Sequence, residues 1–181
     1  MSDIRSLPYW VGHFLAVAST VVGVYLAAVV GFDVAVKLTL VESDRGTYYL
    51  AESMHQELEF NAANMQKYID KVEGKPYVYK EHLAGIKLND YVFQASKYTD
   101  SVFEIDPTLL SQISTFYFAV GNAIQAYYDS NMASPANVMA VVKRETKKLQ
   151  EQGTLDRLAA YNAVLTENLK KQGINVAQPT Y

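Results

Sequence analysis

From Tyr9 to Phe32 the chain runs without an Asp, Glu, Lys or Arg. No other property of the sequence restricts its fold as much. The hydrocarbon core of a bilayer asks for about 20 mostly apolar residues wound as a helix, and this run is long enough. Pro8 fits the first helical turn, where its missing N–H costs nothing. Tyr9 and Trp10 stand where the aromatic belt of a membrane border is expected. A signal-peptide core spans only about 7–15 apolar residues. This run is longer, and Arg5 is the one basic side chain before it. It therefore reads as an uncleaved anchor: a short tail at 1–8, then a transmembrane helix with a juxtamembrane extension over 9–43. The short tail favours a cytoplasmic N-terminus at a cell inner membrane, with the remaining chain periplasmic. Lys and Arg set orientation, and Arg5 on one side faces Lys37 and Arg45 on the other.

The anchor carries a pattern of small residues. Ser19, Gly23, Ala27 and Gly31 recur every four positions, and Gly12 and Ala16 continue a neighbouring row towards the N-terminus. Residues four apart share a helical face. In lipid, helices associate through close backbone approach, which small side chains permit. The stripe predicts packing against another membrane helix, from a second copy or a different subunit. His13 lies in the first turns. Its imidazole has the chemistry to ligate a haem or chlorin metal, with Gly12 and Ala16 leaving room for a flat ring. Three residues beyond Trp10, it reads instead as a border histidine bonded to headgroups, water or a neighbouring helix. No resident cofactor is expected.

Beyond Phe32 the sequence turns half polar, and the helix is expected to continue towards a soluble bundle at 44–173. Ala51, Leu58, Met65 and Val72 are spaced by seven, with Met54, Asn61 and Tyr68 three after the first three. That is a bundle seam with Asn61 as its polar registry position. Gly74 and Pro76 end it. Apolar positions at Leu83, Ile86, Val92, Phe93, Val102 and Phe103 predict a helix over about 80–105. Asp106-Pro107 and Ser134-Pro135 each read as a cap followed by Pro. Between them lies the strongest periodicity, from Leu109 to Tyr127, and then a turn at 129–134. Gly153 closes the next helix, Thr154 caps the last one, and Gly173 ends it. An irregular tail follows at 174–181. The prediction is an all-α chain: one N-terminal transmembrane helix and a soluble bundle of four to five helices.

Several chemistries are excluded or disfavoured. With no cysteine there is no disulfide, thiolate site or Cys nucleophile. A net charge of -3 without a basic face argues against nucleic acid as a partner. Residues 89–129 hold one Lys against five acids, and residues 143–171 hold seven Lys or Arg against four acids. Such runs read first as solvated faces and second as docking polarity. Glu52-Met-Ser-His55 has the Glu-x-x-His spacing of a di-iron bundle, and Glu59 follows one turn on. The second such motif that a di-iron site needs is absent, because Tyr79 stands three before His82. No metal is expected there. Arg144 and Arg157 are candidates to clamp a carboxylate, and also ordinary surface arginines lying along apolar area. No nucleophile elbow, P-loop, dinucleotide fingerprint or zinc motif occurs, so an enzyme is not expected.

An anchor followed by a helical domain resembles, in outline, the extracytoplasmic helical sensor domains of bacterial receptors. That resemblance implies a ligand pocket between helices. The sequence departs from it in having no further long uncharged stretch; Ile113 to Ala126 is too short and carries Ser, Asn and Gln. The leading expectation is a non-catalytic accessory subunit of a larger membrane complex, respiratory or photosynthetic in kind. It would contact lipid and other subunits through the anchor and the bundle surface. The alternative is a membrane-tethered sensor or small-ligand module.

Overall fold

The computed structural model describes residues 7–130 and 133–176. The chain is all-α: a long apolar N-terminal helix, then a helical bundle, with no strand among the described residues. Helix α1 runs Leu7–Val72, α2 Tyr91–Ser96, α3 Pro107–Ser130, α4 Pro135–Glu151 and α5 Thr154–Lys171. Short 3-10 turns occupy Lys80–Leu83 and Asp100–Glu104. The chain divides into two compact units, Met1–Glu42 and Ser43–Tyr181.

In the first unit an 18-residue window reaches a mean hydropathy of 2.2 with none of it buried. By length and composition this helix is able to cross a membrane. Several of its polar side chains are turned back on their own helix. Thr20 Oγ1 donates to the Ala16 carbonyl (2.9 Å), Thr39 Oγ1 to the Ala35 carbonyl (3.1 Å), and Lys37 pairs with Asp33 at 2.6 Å. A hydroxyl bonded four residues back is satisfied without water.

In the second unit every predicted seam residue is buried: Ala51, Met54, Leu58, Asn61, Met65, Tyr68 and Val72. They meet Ile113, Phe116, Tyr117, Val120 and Ile124 of α3 in one core that also takes Val138, Val142 and Leu149 of α4 and Leu158 of α5. A smaller cluster joins Tyr48, Leu165, Leu169 and Val176. The start of the C-terminal tail is thus packed; residues 177–181 lie outside the described residues, as do 1–6 and 131–132.

Local signals placed most helix ends. Asp106 Oδ1 accepts from the N–H groups of Thr108 (2.8 Å) and Leu109 (3.0 Å), opening α3. Ser134 Oγ accepts from Asn137 N at 3.2 Å, opening α4 with Pro135 next. After α5 the Ile174 N–H reaches the Leu169 carbonyl (2.9 Å) and the Gly173 N–H the Lys170 carbonyl (3.0 Å). With Gly173 at φ 81 this is a Schellman stop.

Three expectations are corrected. There is no helix over 80–105. Gly85 takes φ 75, residues 84–90 are irregular, and only the six residues of α2 are α-helical. Several backbone groups of residues 84–93 bond to side chains of α1 and α3. Thr154 does not cap α5 either. Gly153, at φ 58, holds the N-cap position, and the Thr154 hydroxyl is drawn across to Gln112 Oε1 at 3.0 Å. The turn expected at 129–134 does not begin at Asp129, because α3 continues through Ser130; residues 131–132 of that expectation lie outside the described residues.

Candidate functional site

Two places in the chain carry more than packing: the small-residue face of α1 and a buried polar network in the bundle.

Wound at about 100° per residue, Gly12, Ala16, Ser19, Gly23, Ala27 and Gly31 fall within an arc of about 120°. Tyr9, His13 and Thr20 share that arc, whereas Trp10 and Tyr25 do not. All six stripe residues are exposed, and a Cβ built on Gly12, Gly23 or Gly31 meets nothing within 4 Å. A smooth strip thus coincides with the imidazole and both aliphatic hydroxyls of the charge-free run. The His13 ring lies 4.5 Å from that of Tyr9, tilted by 31°, and Tyr9 meets Trp10 edge-on at 6.2 Å. Tyr9, Trp10 and His13 therefore form one aromatic group on the first turns of α1.

The second place was not foreseen. Glu57, on α1, is 5% exposed. Its Oε2 accepts from Val92 N at 2.8 Å, and its Oε1 accepts from Phe93 N at 3.0 Å and from the Tyr117 hydroxyl at 2.9 Å. A carboxylate from a distant helix thereby takes the first-turn N–H groups of α2, whose own N-cap residue, Asp90, makes no side-chain cap. Burial pushes the Tyr117 phenol well above its ordinary range, and the adjacent Glu57 charge pushes it further. Tyr117 therefore stays a neutral donor. Phe93 stacks on Tyr117 at 4.4 Å and 4°, and Lys97 lies over the Phe93 ring at 4.9 Å.

One turn on from Glu57, Asn61 is fully buried and reads the main chain of Asn89 from both sides. Its Nδ2 donates to the Asn89 carbonyl (2.5 Å) and its Oδ1 accepts from Asn89 N (2.9 Å). The same Nδ2 reaches the Tyr117 oxygen at 3.2 Å. Asn64 donates to the Lys87 carbonyl (3.3 Å), Tyr68 to the Ala84 carbonyl (3.4 Å), and Tyr128 of α3 to the Ile86 carbonyl (3.1 Å). The residues 57, 61, 64 and 68 make one polar stripe on the buried side of α1. That spacing was the signal in the sequence, a polar row that shares Asn61 and Tyr68 with the seam.

The weaker candidates do not converge. Glu52 Oε1 accepts from Gln56 and Oε2 from Asn162, each at 3.0 Å. No group of three or more His, Asp or Glu able to hold a metal occurs among the described residues, so Glu52, His55 and Glu59 are not brought together as a site. Arg144 bonds Glu145 Oε1 at 2.5 Å, and Arg157 lies 3.8 Å from Asp106 and 3.4 Å from Gln112 Oε1. Two open grooves flank residues 87–90. One, of about 430 Å³, runs along α3 past Phe118 and Tyr128; the other, of about 480 Å³, runs along α1 past Phe60 and Tyr91.

No known protein family, curated protein or solved structure matches the chain.

Proposed function

We propose that this protein is a non-catalytic accessory subunit of a larger membrane complex, anchored by the first part of α1 with its bundle on the membrane surface. The observation that carries the reading is the open strip on α1. Gly12, Gly23 and Gly31 have nothing within 4 Å, and they lie in a helix whose apolar window is wholly exposed. Glycines on one face of a spanning helix let a second backbone approach closely, which is the main source of attraction between helices in lipid. Ser19, Thr20 and His13 on the same face add groups able to bond across such a contact. In this reading the N-terminus is cytoplasmic, the bundle is periplasmic, and the complex is of an energy-converting kind.

Extraction in mild detergent followed by native sizing tests it. Co-migration with a large assembly, lost when Gly23 and Gly31 are both replaced by Leu, is the expected result. A lone monomer or homodimer, or an assembly indifferent to Gly23→Leu/Gly31→Leu, overturns it. Because the chain has no cysteine, single cysteines placed in the bundle report the topology through a membrane-impermeant thiol reagent. The second reading, a tethered small-ligand module, draws on the two grooves beside residues 87–90. It gains if the protein purifies alone and its thermal midpoint rises with a small molecule. A haem or chlorin absorbance that disappears in His13→Leu would add a cofactor to either reading.

A further inference from the structure

Arg144 and Arg157 do not reach one ligand, but each is bonded to a residue that walls the same small cleft. Arg144 Nε donates to Glu145 Oε1 at 2.5 Å, and Arg157 Nη1 donates to Gln112 Oε1 at 3.4 Å. The cleft, of about 190 Å³, lies between α3 and the last two turns of α4. Residues three and four apart share a helical face, which brings Gln112 and Phe116 of α3 opposite Glu145, Lys148 and Leu149 of α4, with Ser111 at the edge. We propose that this cleft binds a small carboxylate with a short apolar tail. Lys148, Gln112 and Ser111 take the carboxylate, and Phe116 and Leu149 take the tail. The site draws neither on the anchor nor on the grooves beside residues 87–90.

The walls of the cleft hold donors that lack acceptors. Gln112 Oε1 accepts from the Thr154 hydroxyl at 3.0 Å and from Arg157. Its Nε2 group has no partner among the described residues, and neither has the Ser111 hydroxyl. An ammonium carries three N–H groups. Lys148 Nζ gives two of them to the Glu145 carboxylate, each at 3.2 Å, and keeps one. Donors in search of an acceptor select an anion or a strongly polarised oxygen, and a carboxylate offers two oxygens to several N–H groups at once.

The charge balance decides the sign of the ligand. Buried Glu145 alone would repel an anion, but two cations, Arg144 and Lys148, sit on its one carboxylate. That leaves a surplus of one positive charge, and Lys148 is half exposed. The neighbouring charges cancel in pairs, Arg157 with Asp106 at 3.8 Å and Lys147 with Glu151 at 3.3 Å. A cationic ligand would find the Glu145 oxygens already taken. Size and apolar surface narrow the class further. The volume equals about six waters at about 30 Å³ each, close to a short carboxylate such as butyrate. Phe116 and Leu149 are buried core side chains that also border the cleft. A phosphate would set an oxygen with no donor against them, which is unfavourable; an alkyl tail loses nothing there.

Saturation-transfer NMR with sodium butyrate, on the full-length chain in detergent and against protein-free micelles, tests the site. A saturable signal with a Kd of about 1 mM is expected for a ligand of this size. Butyramide has the shape without the charge, and inorganic phosphate the charge without the tail; each should compete at least about tenfold more weakly. Lys148→Gln should weaken butyrate binding by about tenfold or more, whereas Lys143→Gln, exposed and outside the cleft, should leave it unchanged. Thr115 is exposed and borders the cleft. Thr115→Phe should abolish binding by filling the space with every charge in place, and it serves if Lys148→Gln does not fold. The proposal fails if butyrate gives no saturable signal above the micelles, or if butyramide or phosphate competes as well as butyrate. It fails equally if Lys148→Gln and Lys143→Gln act alike, or if Thr115→Phe binds as the wild type does.

Discussion

Replacing Asn61 by Leu separates two accounts of the bundle seam by the sign of one number. At an ordinary seam position a buried Asn sets register at a cost in stability, and an apolar replacement stabilises. Here Asn61 is fully buried and holds both main-chain groups of Asn89, at 2.5 Å and 2.9 Å. Leu has the same branching and no partner to offer, so one N–H and one C=O are stranded. A buried polar group left unpaired costs about 1–3 kcal/mol. The Asn89 groups are only partly buried, so water recovers part of that cost. The added apolar burial returns a further fraction, and the net loss comes to about 2–3 kcal/mol. Urea unfolding of the full-length protein in detergent, followed by far-UV circular dichroism, measures it. With a urea slope of about 1–3 kcal/mol/M, the midpoint should fall by about 1–2 M. Coupling with Tyr117→Phe in a double-mutant cycle should exceed about 0.5 kcal/mol, since Asn61 Nδ2 reaches that hydroxyl. An unchanged or raised midpoint in Asn61→Leu refutes the reasoning.

Three further outcomes follow from local geometry. Ser134→Ala removes the cap bond to Asn137 N and should cost about 1 kcal/mol by denaturant midpoint, with Ser134→Gly costing only a few tenths. Glu145 is 3% exposed; burial pushes its carboxyl up, but the bonds from Arg144 and Lys148 outweigh that and hold it below the usual range. A depressed carboxyl stabilises the fold above its unfolded value and loses that contribution as pH falls. Glu145→Gln should therefore be less stable than wild type at neutral pH, with the two stability curves converging below about pH 4. A gap that persists in acid removes the charge from the explanation. At Gly46, inside α1, a Cβ would stand 2.9 Å from Ser101 Oγ. Gly46→Ala alone should change stability little, because helix propensity gains about 1 kcal/mol while the hydroxyl must turn aside. Gly46→Ala with Ser101→Ala should recover that gain over Ser101→Ala alone, and an equal gain from Gly46→Ala with Ser101 in place contradicts the close approach.

What could be read from the residues divides by the range of the interactions involved. The caps at Asp106 and Ser134 join a side chain to an N–H two or three residues on, so a short window contains the whole arrangement. The α1 seam was equally legible, since Ala51, Leu58, Met65 and Val72 need only an apolar partner and any bundle supplies one. Residues 80–105 failed because the apolar spacing of Leu83, Ile86, Val92 and Phe93 fits a helix as well as a strap. The tie is broken by Glu57, Asn61, Asn64, Tyr68 and Tyr128, which lie 16 to 42 residues away from the groups they hold. Gly85 and the Asn89-Asp90 pair were the local breakers, but they do not say where the freed backbone groups go. The polar row 57–61–64–68 does say it, once α1 is known to bury that side. The anchor poses the opposite case. Its helix was legible in full, because twenty-odd uncharged residues permit nothing else in lipid. Its open strip has no counterpart among the described residues, since a Cβ built on Gly23 or Gly31 meets nothing within 4 Å; under the proposed function a neighbouring subunit fills that space. The strap and the strip are thus two halves of one rule. Where local preference and observed structure disagree inside a chain, the missing term is a long-range contact; where a smooth surface has no neighbour among the described residues, the proposed missing term is intermolecular, and an assembly measurement tests it.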